Sequence, residues 1–207
     1  AKAAAYTVAK QRLGMIETVY ELMLALGLTV GGGIALVGAW SAQATDSPLL
    51  SGTLHVLGVF AAMAVLGLPF SVYRTFVQEQ RFGFNRMTAK LFIADLLKNT
   101  AVGALIGLPL AALILWLMGA AGNLWWLWAW GAWMAFNLVL LALYPTVIAP
   151  LFNKFEPLSD VALKERVQSL MQRCGFAAKG LFVMDGSRRS AHANAYFTGL
   201  GAAKRVV

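Results

Sequence analysis

Four stretches of the chain, about residues 22–40, 48–73, 101–122 and 124–148, contain no Lys, Arg, Asp or Glu. Each comes close to the roughly 20 apolar residues that a helix needs to cross a hydrocarbon layer of about 30 Å. A helix in a soluble core keeps a polar face, so the pattern predicts four transmembrane helices. Between the second and third runs lies a polar stretch, residues 74–100. Within it Phe92, Leu96 and Ile93, Leu97 recur at helical spacing against Lys90, Asp95 and Lys98, which predicts an amphipathic helix leading into the third span. After Ile148 the pattern changes. Tyr144-Pro145 and Ala149-Pro150 should distort or end the fourth span. Ser159 is a candidate N-cap for a helix whose apolar stripe is Leu163, Val167, Leu170, Met171 and Cys174, closed by Gly175. On this pattern Cys174 belongs to a core. Leu181–Met184 has strand character and ends at the turn pair Asp185-Gly186, Asn194–Thr198 reads as a second strand, and Lys204–Val207 starts a third. The expected organisation is a helical membrane region over residues 1–150 and the beginning of a small α+β domain over residues 151–207.

Composition strengthens this reading. Of 207 residues, 59% are apolar and 13% charged, and the mean hydropathy is +0.68. A soluble domain carries roughly 25% charged residues, so neither a soluble globule nor a disordered chain fits. The net charge of +8 is sorted by segment: +1 before the first span, +3 in residues 74–100 and +5 from Leu151 onward, against a single Asp46 in residues 41–47. Every positive segment falls on one side of a four-span topology. By the positive-inside rule that side, with residues 74–100 and 151–207, is cytoplasmic. The basic balance therefore records orientation in a bilayer, and a nucleic-acid partner is not needed to explain it. The tryptophans at 40, 125, 126, 128, 130 and 133 sit near span ends, as in an interfacial belt.

Inside the spans, Gly31 to Gly33 and the Gly103, Gly107 pair are small residues at spacings that let helix backbones approach, and Pro69 and Pro109 are candidate kinks. His55 is the one titratable imidazole in a span, where an ionisable group is a functional candidate by default. It has no charged partner in any span, which favours local hydrogen bonding. The lone Cys174 excludes an internal disulfide and thiolate metal clusters.

Two longer motifs carry a resemblance. The run Ala149-Pro150-Leu151-Phe152-Asn153-Lys154-Phe155-Glu156-Pro157-Leu158, then Gly186-Ser187-Arg188-Arg189-Ser190-Ala191-His192-Ala193-Asn194-Ala195-Tyr196-Phe197, closely resembles the Ste24-type CAAX prenyl proteases of the M48 metallopeptidase family. Arg81-Phe82-Gly83-Phe84-Asn85, with Thr88, Phe92, Asp95 and Lys98, resembles the same family's cytoplasmic loop. The resemblance covers the whole chain. It implies a polytopic, mainly α zinc endopeptidase with an inward-facing catalytic domain, acting on prenylated, hydrophobic or membrane peptides. The family's zinc is held by two His of an HExxH helix and a downstream Glu. Two His one turn apart can share one Zn²⁺, which lowers the pKa of its bound water toward neutrality.

The sequence departs from that pattern in lacking HExxH: its histidines are His55 and His192, and neither has a His four residues on. The resemblance therefore implies zinc ligands downstream of residue 207, a further membrane span upstream, and no metal-binding or catalytic residue in this chain. By the same resemblance, Asn194, Ala195, Tyr196 and His192 border the cleft on an edge strand that takes up substrate. Asn194 is the best candidate for a substrate or oxyanion contact, unless its amide only satisfies its own turn, and His192 is the weaker one. Arg188 and Arg189 read as a solvated basic loop, with a peptide carboxylate or lipid headgroups as the other candidates. A proteolytically inactive peptide-binding or scaffold protein of the same fold is the competing reading.

Overall fold

Long helices make up most of the first 150 residues in the computed structural model, which describes residues 2–176, 178, 180–191, 194–198 and 204–207. Its contacts divide into two units, residues 1–85 with 92–130 and residues 86–91 with 131–207.

In the first unit, α1 (Lys2–Thr29) and α2 (Gly33–Ala44) are bent by 53° across residues 30–32. The run 22–40, expected as one span, is therefore broken at its glycines. Gly32 has φ +81°, and a Cβ on Gly31 would lie 2.4 Å from the carbonyl oxygen of Gly27. These glycines make the bend, whereas their spacing alone suggests helix packing. α3 (Pro48–Tyr73) begins at Ser47, whose side chain accepts from the Leu50 N–H at 3.4 Å, and Pro48 occupies a first-turn position where its missing N–H costs nothing. The helix runs through Pro69 and continues as a π-helical turn, Arg74–Glu79.

The stretch 74–100 is consequently mostly helix. Only residues 82–88 link the α3 extension to α4 (Ala89–Ala120), and the amphipathic helix and the third span are one continuous element. A 3₁₀ turn, Gly122–Leu124, leads into α5 (Trp125–Leu143). The two X-Pro signals do distort the end of this span: a π-helical turn, Tyr144–Ile148, passes into the short α6 (Ala149–Phe152).

Three stretches, 48–79, 89–120 and 122–152, are long and apolar enough to cross a membrane, and the bent α1–α2 pair makes a fourth if taken as one span. Their surfaces are inverted relative to a soluble protein. Leu105, Trp128, Leu138 and many other large apolar side chains are exposed, whereas Ser41 and Thr53 are 1% and 4% exposed. Lipid tails are as apolar as leucine, so burying leucine gains little and close contacts go to small residues. Ser41 and Thr53 hydrogen-bond to Gly38 and Leu49 carbonyls in their own helices. His55 packs against Gly38, where an added Cβ would come within 3.1 Å of its ring, and one on Gly58 would come within 2.7 Å of Val37. Gly107 faces Leu57 at 3.9 Å, while a Cβ on Gly103 would meet nothing within 4 Å.

The second unit carries a four-stranded sheet: β1 (Phe155–Pro157), β2 (Gly180–Met184), β3 (Phe197–Thr198) and β4 (Arg205–Val206), in the order β1-β2-β4-β3. β1 pairs antiparallel with β2, β2 parallel with β4, and β3 antiparallel with β4. The sequence pattern does not predict β1, because Pro157 and the charged Glu156 mask a three-residue strand. α7 (Val161–Arg173) connects β1 to β2, and its N-cap is Asp160, not Ser159: the carboxylate accepts from the Leu163 N–H at 2.9 Å. A negative cap also complements the positive helix end. Gly175, at φ +63°, closes the helix as expected. Cys174, expected in a core, is exposed, as are Leu163 and Leu170. Strands of two to five residues are too short to cover the whole stripe of a 13-residue helix.

The bend is open to test. Gly32→Ala places a Cβ in a left-handed conformation, which costs about 1 kcal/mol, and Gly31→Ala should cost more because its Cβ collides with backbone. Thermal unfolding of the full-length protein in detergent should therefore rank the midpoints Gly103→Ala, Gly32→Ala, Gly31→Ala from highest to lowest. Equal midpoints would show that the break does not need its glycines.

Candidate functional site

The site is organised by two turns that meet where the last long helix ends. A helix terminus leaves carbonyls without intrahelical partners, and after Phe152 the backbone becomes extended at Asn153. Arg189 closes this end. Its Nη2 donates to the Phe152 carbonyl and its Nη1 to Oδ1 of Asn153, both at 2.7 Å. The planar guanidinium suits such a two-pronged contact in a way that an ammonium does not. The Arg189 carbonyl in turn accepts from the Arg86 N–H at 3.1 Å.

One residue further along, Lys154 and Asp185 tie the same turns together. The Lys154 N–H donates to Asp185 Oδ1 at 2.8 Å, and the Asp185 N–H donates to the Lys154 carbonyl at 3.1 Å. This extends the β1–β2 ladder, which begins at Phe155↔Met184. Partial burial pushes the Asp185 carboxyl up, but the Lys154 N–H and the guanidinium groups of Arg188 and Arg189 outweigh it and hold the group below its ordinary range. Arg188 is the surface partner of Asp185, at 3.3 Å. The expectation of a solvated basic loop therefore fails for Arg189, which is half-buried and bonded to the chain's own backbone. A third arginine missed from sequence, Arg205 on β4, donates to the Pro145 carbonyl at 3.0 Å and lies 5.3 Å from the Phe182 ring centroid. Long flexible cations give little sequence signal when their partners are backbone carbonyls.

Beyond β4 lies β3, at the end of the described sheet. Tyr196 exchanges two backbone hydrogen bonds with Val207, each 2.9 Å, and Phe197 opposes Val206 in the next position. In an antiparallel ladder hydrogen-bonded pairs alternate with pairs whose N–H and C=O point outward. The Phe197 peptide groups are thus directed away from β4, to an edge that is open among the described residues, and its side chain is 71% exposed. Tyr196 is half-buried, and its hydroxyl donates to Met184 Sδ at 3.6 Å. Burial, with Tyr144 nearby, raises its pKa. Asn194 and Ala195 precede the ladder and are exposed, so the expected strand 194–198 is shorter than its pattern. Asn194 Oδ1 accepts from the Ala195 N–H at 2.9 Å, a contact within its own turn. Asn194, Ala195 and Tyr196 lie in the segment that leads into β3. His192 lies outside the described residues, and His55 belongs to the other unit. Among the described residues no three His, Cys, Asp or Glu side chains are grouped so as to hold a metal ion, so the zinc implied by the resemblance finds no ligand set there.

Long apolar helices that end in an arginine-closed turn and pass into a small mixed sheet define a polytopic membrane protein with an attached α+β unit. The chain belongs to the M48 family of CAAX prenyl proteases: residues 1–154 match the family described as CAAX prenyl protease N-terminal, five membrane helices, and residues 157–207 match peptidase family M48. The described residues show three long apolar helices and one bent pair against the five membrane helices of that description. Among curated relatives, the CAAX prenyl protease 1 homologue of Oryza sativa is 41% identical over 162 residues, covering 78% of this chain and 38% of the relative. The Homo sapiens homologue is 40% identical over 144 residues, covering 70% and 30%. The chain thus spans about a third of these relatives. The crystal structure of S. mikatae Ste24p matches with a TM-score of 0.88 and 32% identity, over 98% of this chain and 49% of that one.

Replacing Arg189 tests the closed turn. Arg189→Ala should cost about 2 kcal/mol, since hydrogen bonds to charged groups contribute about 1.5–3 kcal/mol and this one is partly solvated. Arg189→Lys should recover only part of that in unfolding midpoint and in resistance to proteolysis near Asn153. Full recovery by lysine would show that charge suffices without the fork. Asp185 supplies a pH test. Its folded pKa lies below the ordinary value of about 3.9, so its stabilisation is complete well above that pH and is lost as pH falls through the folded value. Protection of the Lys154 amide, taken as exchange relative to the intrinsic rate at each pH, should fall over this acid range, and in Asp185→Ala it should already be low at neutral pH.

Proposed function

We propose that these residues form the membrane region and the first part of the catalytic domain of a zinc metalloendopeptidase that hydrolyses prenylated or hydrophobic peptides. The observation that carries this reading is the open edge of β3, where the Phe197 peptide groups face away from the sheet. An extended peptide adds to such an edge as a further strand, so its scissile bond is placed by backbone hydrogen bonds with little reading of side chains. Asn194, two residues before the first paired position, is exposed just ahead of that strand. There it donates to the carbonyl oxygen that gains charge during attack. Tyr196 anchors the strand from behind through Met184. The zinc ligands lie in chain beyond Val207, as the greater length of the relatives allows. Residues 74–100 and 151–207 face the cytoplasm, for which the sorted basic charge is the support.

The test uses the full-length protein. It should contain one zinc per chain by elemental analysis and cleave a prenylated peptide. Asn194→Ala should lower kcat by about 10²-fold, the usual effect of removing one oxyanion donor, with zinc content unchanged. Unaltered kinetics in this variant would remove Asn194 from the transition state. A full-length protein that bound peptide with neither zinc nor cleavage would instead be a scaffold.

A further inference from the structure

A groove in the first unit has no part in the peptidase reading. α1 runs antiparallel to α3 and is tied to it at three levels: the Tyr6 hydroxyl donates to Glu79 at 2.5 Å, Glu17 pairs with Arg74, and the Tyr20 hydroxyl donates to the Leu66 carbonyl at 2.9 Å. Beside this line of contacts α1 presents Val8, Ala9, Arg12 and Ile16 at helical spacing. With Phe70 and Val77 opposite, they border a groove of about 960 Å³. The walls are apolar, and the only charged residues lining it are Arg12 and Arg81. Neither has an acidic partner among the described residues, because Glu17 and Glu79, the nearby carboxylates, are engaged by Arg74 and Tyr6. Gln78 also lines the groove. It is 6% exposed, and its Oε1 is buried without a hydrogen-bond partner. With less than 1 Å² of that atom accessible, the acceptor is closed to the groove as well as to solvent.

Depth in the bilayer identifies the occupant. The helix from Pro48 to Glu79 has 32 residues, about 48 Å at 1.5 Å per residue, and exceeds a hydrocarbon layer of about 30 Å. Its charged end, with Arg74, Glu79 and Arg81, therefore emerges among headgroups, while Phe70 lies two to three turns deeper. Tyr6 meets Glu79 and Glu17 meets Arg74, so Arg12 comes level with the turn that holds Gln78. One cavity thus combines an apolar trough with two exposed arginines that, among the described residues, have no acidic partner, at headgroup depth.

We infer that this groove binds an anionic phospholipid through its phosphodiester and one acyl chain, with phosphatidylglycerol as the probe. An acyl chain lies along Phe70 and Val77 and the phosphodiester between Arg12 and Arg81. Binding at this place joins α1 to α3 as a wedge, independently of any catalysis.

Native mass spectrometry of the full-length protein in mild detergent, titrated with phosphatidylglycerol, phosphatidic acid and phosphatidylcholine, tests this. The expected result is one retained phosphatidylglycerol, held at least tenfold more tightly than phosphatidylcholine. In Arg12→Ala/Arg81→Ala that preference should disappear, with the unfolding midpoint of the lipid-free protein unchanged. Ala9→Phe should exclude the lipid. Equal binding of phosphatidylcholine, displacement by inorganic phosphate, an adduct unaffected by the arginine pair, or no adduct because another segment fills the groove would each overturn the inference.

Discussion

The constraint on which the second unit depends is the satisfaction of a helix end. A long membrane-derived helix must stop, its last carbonyls must find donors, and the chain must then enter a sheet. Arg189 meets the first two requirements in one contact, and the Lys154–Asp185 pair meets the third by starting the β1–β2 ladder immediately afterwards. Arg205 repeats the device about two turns earlier, at the carbonyl of Pro145. Both arginines sit in or beside the sheet and donate to the helix end. The sheet is thereby fixed in direction by polar contacts, as its few short strands bury little apolar surface.

The helices of the first unit solve a different problem. Their solvent is hydrocarbon, so large apolar side chains turn outward and cohesion comes from close approach at Gly38, Ser41, Thr53 and Gly58, together with polar ties at the helix ends. Tyr6, Glu17, Arg74 and Glu79 form such ties where α1 meets the π-helical turn of α3. Polar groups at this depth are compatible with water and headgroups, which is why they concentrate there and not at mid-span.

Much of this was legible in the order of residues. The apolar runs gave the membrane helices because hydrocarbon thickness imposes a length, and the two long motifs gave the family because they extend over many positions. The illegible parts depended on partners distant in sequence. Gly31 to Gly33 look like a packing surface until the backbone is seen to bend there. Residues 74–100 look like a loop because polar residues at a membrane surface resemble a solvated linker, although their backbone is helical. Ser159 and Asp160 are adjacent candidate caps, separated only by which side chain reaches Leu163. Arg189 gave no signal, since its acceptors include a backbone carbonyl 37 positions away. The edge strand was recognisable by resemblance, but its order beyond β4 requires the sheet.

That order has a consequence for assembly. β3 precedes β4 in the chain, yet in the described sheet its ladder partner is β4, while β4 itself docks in parallel on β2. As the chain is synthesised, β1 and β2 can pair as soon as Met184 is available, but Tyr196 and Phe197 have no neighbour until Arg205 to Val207 exist. The strand that presents the open edge is therefore the last of the four to be fixed. Its peptide groups acquire a direction only when the segment after them has been made.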